Sequence, residues 1–384
     1  MDLKLFFSPV PEEVYSDISS ISSFYKSINV FGESMPKLKG HDIAIIGLEE
    51  DRGASNPGGL SKAANETRKK LYRLKRGQGR YYVIDLGNLN NGVDLEDTNK
   101  RIQEVAEYLI LQNILPVFFG GSHDLDLGQF KAYQGMDKLI SMLNIDAFLD
   151  MDEEGKANKQ HIQQILLHDP NFLFHYSHLA YQTYLIESKT MEVLEKLYFE
   201  SYRIGHLRSN ISEMEPVIRD ADMISFDISS IKSSDAPGCA AAQPFGLTGE
   251  EACQITWYAG MNEKLSSIGF YEYDPDLDDA HNKTASVLST MIWYFIEGFY
   301  NQKDHKDFKS NDYIKYEVSL PADPESIVFF KSKLSEKWWL EVPYPEGRSK
   351  YARNCIVPCS YSDYETANTG EIPERYVSTH AKLV

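Results

Sequence analysis

Short apolar runs recur along the chain with longer amphipathic stretches between them, an alternation that predicts parallel strands joined by crossover helices. The runs read Ile43–Gly47, Tyr81–Asp85, Leu115–Gly120, Ile140–Ile145, Phe172–Phe174, Ser201–Ile204, Met223–Ile228 and Ser267–Tyr271. A sheet of such strands must be covered on both faces. Between the second and third lies Thr98–Gln112, where Ile102, Val105, Ala106, Leu109 and Ile110 fall at helical spacings and give one apolar face, with Asp97 or Thr98 placed to cap its start. Met191–Leu197, Gly249–Gly260 and Ala285–Gly298 read as further helices, and Thr248 with Glu251 forms a capping box before the second of these.

In open parallel sheets, ligands gather beyond the carboxyl ends of the strands, because the loops there can vary while the sheet holds them rigidly. His123 follows the third run, Asp146 and Asp150 follow the fourth, Asp227 ends the Met223 run, and Glu272 follows the Ser267 run. One rim therefore collects every suspicious residue. Singly, each could cap a helix or a loop; together they are better explained as one site. Asp124 and Asp126 read as the acidic first turn of a helix, and His175 and His178 as residues of a loop or helix start with no part in the site.

From about Asn301 the alternation ceases and aromatic residues crowd the sequence, so residues 301–384 are expected to fold as an appendage against the main domain or a neighbouring subunit. Ile327-Val-Phe-Phe and Trp338-Trp-Leu-Glu-Val look like short strands or packed coil. The expected organisation is an N-terminal segment 1–39, an α/β domain 40–300 and this extension.

The chain has 384 residues, 42% of them hydrophobic and 25% charged, an ordinary globular balance. Its formal charge of -18 repels nucleic acid and anionic membranes. The basic run from Arg68 to Arg80 reads as the solvated face of an amphipathic helix with Leu71, Leu74 and Tyr72 turned inward. The N-terminus lacks the long apolar core of a signal peptide, and the Val287–Phe299 run is too short and too polar to span a bilayer. Four cysteines, Cys239, Cys253, Cys355 and Cys359, are too few for a disulfide framework; Cys355 and Cys359 read as part-buried thiols, not as half of a zinc site with distant His380. A cytoplasmic protein is expected, binding neither nucleic acid nor membrane.

The motifs at the rim resemble those of the arginase, agmatinase and formimidoylglutamase superfamily of ureohydrolases over roughly residues 40–300. Gly120-Gly-Ser-His is similar to the family's glycine-glycine-any-histidine, and Asp146-Ala-Phe-Leu-Asp150 to its aspartate-alanine-histidine-any-aspartate. Ser225-Phe-Asp-Ile-Ser with Ala236-Pro-Gly, Gly246-Leu-Thr, and Glu272-Tyr-Asp-Pro follow in the family's order. The resemblance implies a three-layer αβα sandwich with a mostly parallel, doubly wound sheet, and a homo-oligomer. It implies two manganese ions that activate water for attack on a guanidinium or amidine carbon, a chemistry suited to carboxylate and imidazole ligands.

Carried over residue by residue, His123, Asp146, Asp150 and Asp227 complete the first ion's set. The second ion would need a histidine where Phe148 stands and an aspartate where Ser229 stands, so the resemblance implies one Mn2+ or none. His161 resembles the proton-shuttle histidine, and Glu272 the acidic residue that pairs with the substrate's amidine nitrogens. Gly121-Ser-His-Asp124 is similar to the formimidoylglutamase form of the motif. The expected function is hydrolysis of a linear amidine or guanidine C–N bond, at reduced rate, because three carboxylates around one divalent ion leave the site negative and its water less acidic. The alternative, resting on Phe148, Ser229 and Gln243, is a non-catalytic arginase-fold scaffold or binding protein.

Overall fold

A computed structural model describes residues 2–136, 138–321, 323–343 and 356–383. Ten strands form the main sheet: β1 Phe7–Ser8, β2 Asn29–Val30, β3 Ile43–Leu48, β4 Val83–Leu89, β5 Leu115–Phe119, β6 Ile140–Ile145, β7 Leu173–Tyr181, β8 Glu200–Arg203, β9 Met223–Asp227 and β10 Ser267–Tyr271. Their order is β1-β4-β3-β5-β10-β9-β6-β7-β8, with β2 also paired to β4. All pairs are parallel except β1 with β4. The last two strands of the chain's main sheet thus return to its centre, between β5 and β6.

The flanking helices include α1 Ala63–Leu71, α2 Leu95–Leu111, α3 Asp126–Lys131, α4 His161–Leu166, α5 Ser188–Lys196, α6 Ile204–Ser209, α7 Glu215–Arg219, α8 Gly249–Gly260 and α9 Lys283–Tyr300. They build separate apolar layers, one under α1, α8 and α9 and another under α2. The start of α8 and its Thr248/Glu251 capping box are as the sequence predicts. Helix α2 begins three residues earlier than expected, capped by the Asp94 side chain on the Asp97 N–H.

Two expectations need correction. His175 and His178 lie inside β7, which runs nine residues, and not on a loop or helix start. Their polar atoms break the apolar pattern yet are satisfied within the strand, His175 Nε2 by Ser177 Oγ at 2.9 Å and His178 Nδ1 by Tyr176 OH at 2.9 Å. Arg68 is not on a solvated face: it is fully buried, paired through Nε and Nη2 with Asp85 at 2.8 and 2.9 Å. Leu71 and Tyr72 are buried beside it as predicted.

The C-terminal extension is a four-stranded antiparallel sheet, β11 Tyr313–Ser319, β12 Ser326–Ser332, β13 Trp338–Glu341 and β14 Ile356–Cys359, followed by α10 Tyr361–Asn368 and α11 Glu374–Leu383. It packs on the main sheet's layer through Arg219 of α7, whose Nη2 donates to the Trp338 carbonyl at 3.1 Å and whose guanidinium stands 4.3 Å from the Trp339 ring centre. Cys355, Tyr344 and Tyr351 lie outside the described residues, and with them the pairing of Cys355 and Cys359. Cys239, Cys253 and Cys359 are free thiols. No helix among the described residues is long and apolar enough to cross a membrane.

Candidate metal centre

Sheet register brings the rim together. Ile145 is level with Phe226, and Tyr271 with Asp227, so Asp146 follows β6 at the height where Asp227 ends β9 and Glu272 follows β10. His123 arrives from β5 through Gly120 and Gly121, both left-handed at φ 92° and 72°. A Cβ on Gly120 would stand 2.7 Å from the Leu48 carbonyl oxygen, and one on Gly121 2.5 Å from Leu125, so this turn requires glycine twice. Asp150 and Glu272 also occupy the left-handed region, at φ 44° and 66°, which is uncommon for these residue types and concentrates backbone strain at the same rim.

Three carboxylate oxygens converge on one imidazole nitrogen. His123 Nδ1 is 3.1 Å from Asp227 Oδ2, 3.4 Å from Asp146 Oδ2 and 3.8 Å from Asp150 Oδ2. The other oxygen of each carboxylate is held by a protein donor. Asp146 Oδ1 accepts from Ser229 Oγ at 2.8 Å and from the Phe148 N–H at 3.0 Å; Asp227 Oδ1 accepts from the Ser229 N–H at 2.6 Å; Asp150 Oδ1 accepts from Lys159 Nζ at 2.9 Å.

The imidazole is oriented from behind. Ser225 Oγ donates to Asp126 Oδ2 at 2.9 Å and lies 2.8 Å from His123 Nε2, so its lone pair is left to accept the Nε2 proton. That bond turns the Nδ1 lone pair toward the carboxylates in the neutral ring, an arrangement typical of a metal-ligating histidine. The backbone N–H of His123 donates to Glu272 Oε1 at 2.9 Å, and Asn158 Nδ2 donates to the same oxygen at 3.1 Å.

Charge crowding marks the site. Burial pushes the His123 ring down, but the facing carboxylates of Asp146 and Asp227 outweigh it and hold its pKa well above the usual imidazole value. Burial, then the Asp227 and Asp150 charges, push the Asp146 carboxyl up. Glu272 is raised by burial and by Asp227. Asp150 goes the other way: the His161 hydrogen bond and the Lys159 charge overcome its burial.

The donor set suits a divalent cation. His123 Nδ1 and Asp146 Oδ2 are buried without a hydrogen-bond partner, which is costly unless something else binds there. The ligand atoms of His123, Asp146, Asp150 and His161 all lie within 4.8 Å of one another. Asp227 is not in that mutual group, although its Oδ2 is the nearest carboxylate oxygen to His123 Nδ1. Phe148 has no donor atom to offer an ion, and the Ser229 hydroxyl donates to Asp146.

His161 belongs to the cluster. It is fully buried, with Nδ1 2.8 Å from Asp126 Oδ1 and Nε2 3.4 Å from Asp150 Oδ2. Burial pushes its ring down, Asp126 more than compensates, and the pKa is raised to about 9. Asp126 does open α3, yet it is buried beneath the two histidines and not solvated as a first-turn residue would be. Its spacing of three from His123 is the one sequence signal that could have found it. Ser225 stands in a motif read from the sequence, though not as a partner of His123; Lys159 and Asn158 carried no signal that sequence reasoning could use, because a lysine nine residues past Asp150 is ordinary in a loop.

Beside the cluster lies a cavity of about 830 Å3 lined by Phe148, Asp150, Lys159, Asp152, Glu153 and Glu187 among others.

The fold and the rim define an α/β protein with a carboxylate–imidazole centre at its strand ends. The chain belongs to the arginase family, whose model matches residues 41–297. A formimidoylglutamase of Geobacillus sp. (strain WCH70) is 25% identical over 289 residues, covering 68% of this chain and 85% of that protein. The human mitochondrial guanidino acid hydrolase is also 25% identical over 289 residues, covering 66% of this chain and 77% of its own length. Among solved structures, the formimidoylglutamase of Bacillus subtilis superposes with a TM-score of 0.67 at 19% identity, over 76% of this chain and 97% of that one. The Trypanosoma cruzi formiminoglutamase with Mn2+ does so at 0.64 and 20% identity, over 70% of this chain and all of that one. At such identities the superpositions establish the fold and no more.

Proposed function

We propose that this protein hydrolyses a C–N bond of a linear amidine or guanidine, in the manner of a formimidoylglutamase, with one Mn2+ held by His123, Asp146, Asp150 and Asp227. The observation that carries the reading is the convergence of three carboxylate Oδ2 atoms on His123 Nδ1, each partner oxygen being tied back by the protein. When bound, such an ion supplies a water of lowered pKa and a Lewis acid for the substrate. Ser225 and Asp126 hold the His123 ring in its ligating tautomer. Glu272 presents its second oxygen, which makes no hydrogen bond within the described residues, to an amidine N–H. The cavity beside the cluster offers Asp152, Glu153 and Glu187 to an approaching cation.

His161 enters the proposal as a positioning residue for Asp150, since both its ring nitrogens face carboxylates and neither faces the cavity side. Turnover below that of a two-ion relative is expected, because the symmetric clamp of two metals is missing. A homo-oligomer belongs to the same reading by family resemblance, and a cytoplasmic setting by the free thiols.

The test is an assay of ammonia, formamide or urea release by the Mn2+-loaded protein on N-formimidoylglutamate, guanidino acids, agmatine and arginine. Slow, Mn2+-dependent release from at least one supports the proposal; no bound ion and no turnover on the whole panel rejects it. A second reading, a non-catalytic scaffold, is favoured by Phe148 and Ser229, and gains if the native protein is inert while variants restored at both positions turn over.

A further inference from the structure

The chain supplies its own cation on the side of the cluster where the second ion's ligands are missing. Lys159 follows from a short turn, Ala157–Lys159, anchored by the Asn158 N–H on the Gly53 carbonyl at 3.1 Å and by the Asp152 N–H on the Lys159 carbonyl at 2.9 Å. Its ammonium reaches Asp150 Oδ1 at 2.9 Å and stands 4.3 Å from the centre of the Phe148 ring. The aromatic residue that replaces a ligating imidazole thus faces a cation across its π surface, the one favourable contact a phenyl ring can offer a charge.

We propose that Lys159 takes the place of the second metal ion, so that one divalent cation and one ammonium together neutralise the three carboxylates of Asp146, Asp150 and Asp227. The inference rests on the one-ion reading above. Formal charges agree with it: losing an aspartate at 229 removes one negative charge, losing an ion removes two positive charges, and the lysine restores the difference. The charge deficit that the sequence alone suggested for a one-ion site is therefore met from within the chain.

Elemental analysis and titration calorimetry with Mn2+ alone test this in the full chain. The wild type is expected to hold one ion per chain. A variant with Phe148→His and Ser229→Asp is expected to hold one ion still, because the ammonium occupies the space, and the triple variant that adds Lys159→Ala to hold two. Two ions in the double variant, with Lys159 in place, would overturn the inference. In the native background, Lys159→Gln removes a repulsion and should tighten Mn2+ binding by at least about tenfold; an unchanged Kd also overturns the inference, and this variant decides the matter if the multiple variants do not fold. A wild type that binds no ion rejects the one-ion reading itself, a result distinguishable from a failure at Lys159 alone.

Discussion

His123 Nδ1 and Asp146 Oδ2 face each other across 3.4 Å, both buried and neither in a hydrogen bond. Such a pair is expensive to keep, and the neighbouring carboxylates of Asp150 and Asp227 make it more so by repelling Asp146. Asp146→Asn relieves that repulsion while removing a ligand. The variant should melt at or above the wild-type temperature in chelator and lose the stabilisation by Mn2+, which for the wild type is about 2.7 kcal/mol at a hundredfold excess over Kd. Thermal unfolding with and without Mn2+ reads both effects, and a variant that is destabilised in chelator yet still stabilised by Mn2+ contradicts the assignment.

Arg68 and Asp85 form a second buried charge pair, remote from chemistry but central to α1 and β4. Tyr72 OH donates to Asp85 Oδ2 at 2.7 Å, and Arg68 Nη2 donates to the Gly87 carbonyl at 2.8 Å. Arg68→Met leaves the Asp85 carboxylate buried and unpaired and should cost about 3–5 kcal/mol. Adding Asp85→Leu should recover much of that loss, measured by chemical denaturation. A single variant within about 1 kcal/mol of wild type, as for an ordinary surface arginine, would place Arg68 on the surface after all.

Helices α8 and α9 pack backbone against backbone at Gly260 and Gly298. A Cβ at Gly260 would stand 2.1 Å from the Phe295 carbonyl oxygen, and one at Gly298 2.5 Å from the Trp257 carbonyl oxygen. Alanine gains up to about 1 kcal/mol in helix propensity over glycine. Overpacking against backbone costs about 1–3 kcal/mol. Gly298→Ala is therefore expected to lower the melting temperature, and an increase would show that the helices can separate freely.

The contact between β7 and the C-terminal helix carries a pH dependence. His175 Nδ1 is 2.6 Å from Lys382 Nζ, and its Nε2 is 3.7 Å from Glu200 Oε2. Burial holds the ring's pKa below its usual value; Glu200 and Asp220 oppose the shift and Lys382 adds to it. The folded protein thus refuses a proton that the unfolded chain accepts near pH 6.5. Stability is full above that pH and declines as the pH falls from it toward the folded pKa, with a slope bounded by about 1.4 kcal/mol per pH unit for one proton. Glu200 is held low, chiefly by His175 against its own burial, so its contribution is full above the ordinary carboxylate range and is lost as the pH falls from there. Melting curves from pH 7.5 to 5.5, followed through the fluorescence of Trp338 and Trp339, should show the decline in the wild type and a flatter profile in His175→Gln. Equal slopes would remove His175 from the account.

How much of this was legible in the sequence depended on what each residue's neighbours are. The strands Ile140–Ile145 and Ser267–Tyr271 could be read to the residue because buried parallel strands are apolar on both faces. Strand β7 could not, since His175 pairs with Ser177 and His178 with Tyr176 within it, and the polar residues look like a loop. The rim residues were readable because they close apolar runs. Lys159 was not, because nothing in a linear chain shows that a lysine's ammonium ends over Phe148. Arg68 misled for a related reason: a basic run looks solvated, and the one arginine that turns inward is chosen by Asp85, which only the fold brings near.

The central claim, one divalent ion at the strand ends, is tested most directly by diffraction from crystals grown with Mn2+, using the manganese anomalous signal. The account predicts a single peak per chain, ligated by His123 Nδ1 and the Oδ2 atoms of Asp146, Asp150 and Asp227, with Lys159 still paired to Asp150. No peak at that position, or a pair of peaks between Asp146 and Asp227, would contradict it.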